Sequence, residues 1–144
     1  MVKIVIVDDY LETAETLAIL YKSKGNVEIV GLVQNSEQLW RTAAEREMDL
    51  LSLDIQLIGE SGLELCEQFH LRYPDVFIVM CSVEATEENK RRAKEAGASH
   101  FLAKPISMRD VSEVLELWST QHKNMTIDTL PLTAVAMDKL FEDL

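Results

Sequence analysis

The strongest limit on how this chain can fold is a repeated change of period. Five short runs of Ile, Val, Leu and Phe, at residues 3–7, 28–33, 50–53, 76–81 and 99–103, alternate with stretches spaced for helices. The runs at 4–7 and 77–81 are continuously apolar. A strand with one wet face alternates, so these runs suit strands covered on both faces, as in a parallel sheet between helices. The intervening segments agree: Leu11, Ala14, Ala18 and Tyr21 recur at three- and four-residue steps, as do Met108, Val111, Leu115 and Trp118. Ser107 and Asp110 resemble a capping box at the start of the last of these helices, with Asp in place of the longer Glu. The pattern predicts an α/β domain of five parallel strands with helices on both faces.

The 144 residues suffice for one such core and an appendage, but not for two ordinary domains. Residues 1–120 are read as the domain. Residues 121–129 read as a linker, and 131–144 as a short amphipathic helix carrying Leu132, Ala136, Leu140 and Leu144, which could lead into an effector domain. A net charge of -11 argues against a nonspecific grip on nucleic acid or an anionic membrane, both of which need a basic surface. Cys66 and Cys81 lie inside apolar patterns and read as small core residues, which fits a reducing compartment. No apolar run approaches the roughly 20 residues that span a bilayer, and Asp8 and Asp9 come too early for a signal peptide, so a cytoplasmic location is expected. The segment 86–96, "TEENKRRAKEA", has capping and charge signals for a helix but almost no apolar stripe. It reads either as a solvated face or as a loosely held surface for a partner.

In an open parallel sheet, function gathers at the carboxyl edge of the strands. The residues there are Asp8 and Asp9 after the first strand, Asp54 after the third, Ser82 after the fourth, and Lys104 followed by Pro105 after the fifth. One of the adjacent acids could cap the helix that follows, which leaves the other unexplained. Taken together, three acids, a hydroxyl and a lysine at one rim have the composition of a phosphate and metal site.

The motifs "VDD", "LD", "CS" and "AKP" at the ends of strands one, three, four and five, in this order over about residues 1–120, resemble the receiver domain of two-component response regulators, the CheY-like family. The resemblance implies a flavodoxin-like (βα)5 fold, a doubly wound parallel sheet of strand order 2-1-3-4-5, and a phosphorylation-dependent signal relay, without being a dedicated enzyme for outside substrates. Asp54 would accept a phosphoryl group from a sensor histidine kinase or phosphotransfer protein. A carboxylate nucleophile meeting phosphoryl oxygens needs a cation, and Mg2+, a hard ion wanting oxygen ligands, is the one expected. Asp8, Asp9, Asp54 and the main-chain carbonyl of Gln56 would hold it. Lys104 would pair with a phosphoryl oxygen, and Ser82 with Phe101 would form the switch. The face made by helix four, strand five and helix five would report to a downstream protein or fused effector domain, with a homodimer through that face a further expectation. Neither membrane contact nor direct nucleic-acid binding is expected of this segment.

The chain departs from the family at several points. Ile58 stands where the family usually has proline, predicting a less rigid loop, and Phe101 lacks the common tyrosine hydroxyl. Gly62 matches the glycine that starts the third helix, and Lys104-Pro105 would be cis by resemblance. A flavin-binding flavodoxin would want a hydroxyl- and glycine-rich loop in place of "DDYLE", and a haloacid dehalogenase-like phosphatase two aspartates one residue apart, which Asp54-Ile55-Gln56 lacks. A non-phosphorylated adaptor that keeps the fold is the remaining alternative.

Overall fold

The computed structural model describes residues 1–129. Its strands are β1 (Val2–Val7), β2 (Val27–Val33), β3 (Leu50–Asp54), β4 (Phe77–Ser82) and β5 (His100–Ala103), and its helices are α1 (Leu11–Lys22), α2 (Ser36–Glu45), α3 (Gly62–Arg72), α4 (Glu87–Glu95) and α5 (Met108–Thr129). The strands form one sheet in the order β2-β1-β3-β4-β5, all neighbours parallel. This is the doubly wound order expected of the flavodoxin-like fold. A two-residue hairpin, Gln56–Leu57 against Glu60–Ser61, lies between β3 and α3 and has no counterpart in the sequence reading.

The central strands are buried on both faces, which explains their unbroken apolar sequence. Val5, Val7, Leu51, Leu53, Ile78 and Met80 pack with Leu39 of α2 and Leu65 and Phe69 of α3. On the other face Ile4, Ile6, Leu50, Phe77 and Val79 pack with Ala14, Leu17 and Tyr21 of α1 and Val111 and Val114 of α5. Each large side chain so buried contributes about 1.5–3 kcal/mol, enough to fix the strand ends in space. Cys66 and Cys81 are buried free thiols, as their apolar surroundings suggested.

Two helix faces are rotated from expectation. Leu11 and Met108 are exposed, and Leu17 and Val114 take the core positions instead. Neither Asp8 nor Asp9 caps α1; the N-cap is Tyr10, which makes no side-chain cap bond. The capping box of α5 is present in reciprocal form: Asp110 N–H donates to Ser107 Oγ at 3.1 Å, and Ser107 N–H donates to Asp110 Oδ2 at 2.9 Å. The expected linker at 121–129 is instead a continuation of α5. That stretch contains no Gly or Pro, so its polarity marks exposure and not a break. The helix expected over 131–144 lies outside the described residues. Among the described residues no helix is long and apolar enough to cross a membrane.

The helix α4 is held as loosely as its composition implies. Thr86 Oγ1 caps it by accepting from Asn89 N–H, and within the helix only Ala93 is buried. Ion pairs from Lys90 to Glu87 and from Arg91 to Glu95 lie on its solvent side, where they contribute little.

Candidate functional site

Parallel register brings the strand ends together. Val7 pairs with Leu53, Asp54 with Cys81, and Ser82 with Ala103, so the residues that follow share one edge of the sheet. There Asp8 and Asp54 are only 3% and 7% exposed. Two buried carboxylates on adjacent strands require a counter-charge, and Lys104 supplies it. Its Nζ donates to Asp8 Oδ2 at 2.9 Å and to Asp54 Oδ2 at 2.7 Å. Burial pulls the Lys104 pKa down, but the hydrogen bonds to Asp54 and Asp8 outweigh it and hold the ammonium above its ordinary value. The second oxygens are held by local turns: Asp8 Oδ1 accepts from Tyr10 N–H at 2.9 Å, and Asp54 Oδ1 from Gln56 N–H at 3.0 Å.

Asp9 is half-buried and turned to the neighbouring loop, where its Oδ2 accepts from Ile58 N–H at 2.6 Å. Burial raises its pKa, the Ile58 hydrogen bond lowers it, and the charges of Asp54, Asp8 and Glu60 raise it again, leaving the carboxyl above its usual range. Three carboxylates thus face one ammonium. As they stand, no three acid, histidine or cysteine side chains among the described residues form a ready metal-holding group. Lys104 occupies oxygens of Asp8 and Asp54, and Ile58 occupies one of Asp9.

The loop between β3 and α3 fits tightly under Asp54. Gly62 N–H donates to Ile55 O at 2.8 Å. A Cβ at Gly62 would overlap the carbonyl oxygen of Asp54 and lie 2.7 Å from Ile55 Cα, so the glycine is required by close approach of backbone. The loop that carries Ile58 forms the hairpin, and its Ile58 N–H donates to Asp9. The Lys104-Pro105 peptide is cis.

Ser82 is fully buried; its Oγ accepts from Glu84 N–H at 3.0 Å, and its carbonyl accepts from Lys104 N–H at 2.9 Å. By the two-residue alternation it shares a sheet face with Met80 and Phe101, beside α4 and away from the contact of Lys104 with the acids. Phe101 is half-buried against the core on that face. The rim therefore divides: Asp8, Asp54 and Lys104 touch, Asp9 and Gln56 flank them, and Ser82 and Phe101 stand on the α4 side.

Two hollows open at this edge. One, of about 430 Å³, is lined by Asp9, Thr13, Asp54, Gln56, Ile58 and Lys104 among others. The second, of about 530 Å³, joins Asp8, Asp54 and Lys104 to apolar Leu17, Leu20 and Ile106. Thr13 and Val83 line both, and neither was anticipated. The available signals were their places one helical turn after Asp9 and directly after Ser82.

The doubly wound sheet thus carries an acid cluster and a lysine at its carboxyl edge. Residues 4–116 match the response regulator receiver domain family, and the chain belongs to that family. It is similar to the transcriptional regulatory protein CitT of Bacillus subtilis, 28% identical over 85% of this chain and 54% of that protein. It is also similar to the phosphate regulon transcriptional regulatory protein PhoB of Pseudomonas aeruginosa, 31% identical over 75% of this chain and 47% of that one. The chain thus spans about half the length of these curated relatives. The CheY-like receiver domain protein of Methanospirillum hungatei superposes with a TM-score of 0.75 at 26% identity, covering 86% of this chain and 98% of that one.

Proposed function

We propose that Asp54 accepts a phosphoryl group from a phosphohistidine on a sensor histidine kinase or phosphotransfer protein, in a Mg2+-dependent reaction, and that the domain relays this change to a downstream protein or a fused effector domain in the cytoplasm. The observation that carries the reading is the Asp8-Lys104-Asp54 contact at the carboxyl edge of a receiver-family sheet.

In the transfer, an Asp54 carboxylate oxygen bonds to phosphorus while the phosphorus-nitrogen bond of the donor breaks, its electron pair returning to the imidazole. The product is an acyl phosphate. Gln56 N–H, already bonded to Asp54 Oδ1, holds the carboxylate in place for attack. Lys104, freed from Asp54 as that oxygen is esterified, has its ammonium within reach of the new phosphoryl oxygens. The donor set is hard oxygen with two negative charges in excess, which fits a divalent cation of the Mg2+ type. Asp8, Asp9, Asp54 and the Gln56 carbonyl would hold it, and the ion supplies charge neutralisation between carboxylate and phosphoryl group.

Relay requires that the phosphoryl group favour one of two arrangements by differential contacts. The Ser82 hydroxyl, now bonded to Glu84 N–H, is the group to change partners, with Phe101 following on the same sheet face. The loosely anchored α4 is the element these two can move, and its face with β5 and α5 is the reporting surface, through which two copies could also pair.

The test is an intact-mass measurement after incubation with acetyl phosphate. Wild type should gain one phosphoryl group with Mg2+ and none with a chelator, and Asp54→Asn should gain none. An adduct that persists in Asp54→Asn refutes the acceptor, and a wild type that gains nothing favours an adaptor that works without phosphorylation.

A further inference from the structure

We propose that the main-chain N–H of Ile58 is a positioning group for the cation site: it fixes the Asp9 carboxylate against the loop that carries Gln56, so that a divalent cation meets two of its oxygen ligands already set relative to each other. The inference rests on the reading of Asp9 and Gln56 as ligands.

The bond joins loops 49 residues apart in sequence, at 2.6 Å from Ile58 N to Asp9 Oδ2. Asp8 and Asp54 each have Lys104 and an N–H from their own loop, whereas among the described residues Asp9 has no ammonium partner and is repelled by Asp54, Asp8 and Glu60. Without Ile58 N–H nothing among the described contacts would keep Asp9 at the mouth of the hollow it shares with Gln56 and Asp54. A carboxylate has about four lone-pair sites, so one accepted hydrogen bond leaves it free to ligate.

The donor is itself held by backbone and not by side-chain packing, since Ile58 is 77% exposed. The hairpin pairs Gln56 with Ser61 and Leu57 with Glu60, and Gly59 turns it at φ 76°. Glu60 in turn accepts from Ser36 N–H at 2.7 Å and Ser36 Oγ at 2.8 Å, which pins the hairpin to the start of α2. Hydrogen bonds therefore tie α2 to the hairpin and the hairpin to Asp9. Proline, usual at this position in the family the chain resembles, has no N–H and cannot complete it.

The test is calorimetric titration of Mg2+ into the full chain, comparing wild type, Ile58→Pro and Ile58→Ala. Ile58→Pro, which deletes the donor, should bind about fivefold more weakly or worse, and Ile58→Ala, which keeps it, should stay within about twofold of wild type. Equal or tighter binding by Ile58→Pro overturns the inference. Amide exchange of the wild-type chain without metal decides the matter even if the proline variant does not fold: slow exchange at Ile58 supports the bond, and free exchange overturns it. A wild type that binds no Mg2+ while Ile58 stays protected overturns the ligand assignment instead, and with it the positioning role.

Discussion

Replacing Lys104 by methionine tests the electrostatics of the site with little change of side-chain length. In the wild type its ammonium makes two charge-assisted hydrogen bonds, at 2.9 and 2.7 Å, to carboxylates that are 3% and 7% exposed, while its own side chain is 15% exposed. Bonds to charged groups contribute about 1.5–3 kcal/mol each, and removing one partner of a buried pair costs about 3–5 kcal/mol. The lower end applies, because both carboxylates keep a main-chain N–H. Lys104→Met should therefore lose about 3 kcal/mol at pH 7 in the presence of chelator, read as a lower urea midpoint at unchanged slope, or roughly 10 °C in Tm. At the alkaline end, because the folded pKa of Lys104 is raised above 10.5, the wild-type advantage should be complete below that value and vanish as pH rises through the folded one. A difference below about 0.5 kcal/mol at pH 7 would refute the reasoning, since that is the level of an ordinary surface substitution.

Other substitutions probe single contacts. Asp9, whose pKa is raised first by burial and then by its acidic neighbours, loses stability as pH rises from the ordinary carboxylate value through the raised one; Asp9→Asn should abolish that slope and be at least as stable at pH 7 in chelator, by urea unfolding. Gly62→Ala should cost about 3 kcal/mol, because its methyl group would overlap backbone that cannot move without shifting Asp54, and the same unfolding assay checks it. Thr86→Ala should cost about 1 kcal/mol and speed amide exchange at the start of α4, which loses its cap to Asn89 N–H. Burial pushes the thiols of Cys66 and Cys81 up to about 12, so neither should react with a thiol reagent in the native protein at pH 7, and both should react in urea.

The fold was legible because its main signals are local. The run Ile4 to Val7 can be continuously apolar only in a strand buried on both faces, and once β1, β3, β4 and β5 are parallel their carboxyl-terminal residues must share an edge. That geometry is why Asp8, Asp54 and Lys104 could be placed together from sequence. What sequence could not give were contacts set by chain crossings. That Lys104 spans both acids, and that Asp9 turns to Ile58 N–H, depend on distances between loops far apart in the chain. The hairpin at Gln56 to Ser61 leaves no mark in the sequence because two-residue strands carry no periodicity, and polarity alone does not distinguish the helical continuation over 121–129 from a linker. The division of the rim, with Ser82 on the α4 side, follows from strand alternation that the apolar run alone does not fix at its last residue.

The central claim is that the excess negative charge at this edge is there to share one divalent cation. A crystal soaked in Mn2+, standing in for Mg2+, tests it by anomalous scattering. The account predicts a single strong peak in contact with the carboxylates of Asp8 or Asp9 and of Asp54, beside the Gln56 carbonyl. A crystal that takes up Mn2+ only elsewhere, or whose Asp8 and Asp54 stay bound to Lys104 with no metal beside them at saturating Mn2+, would contradict it.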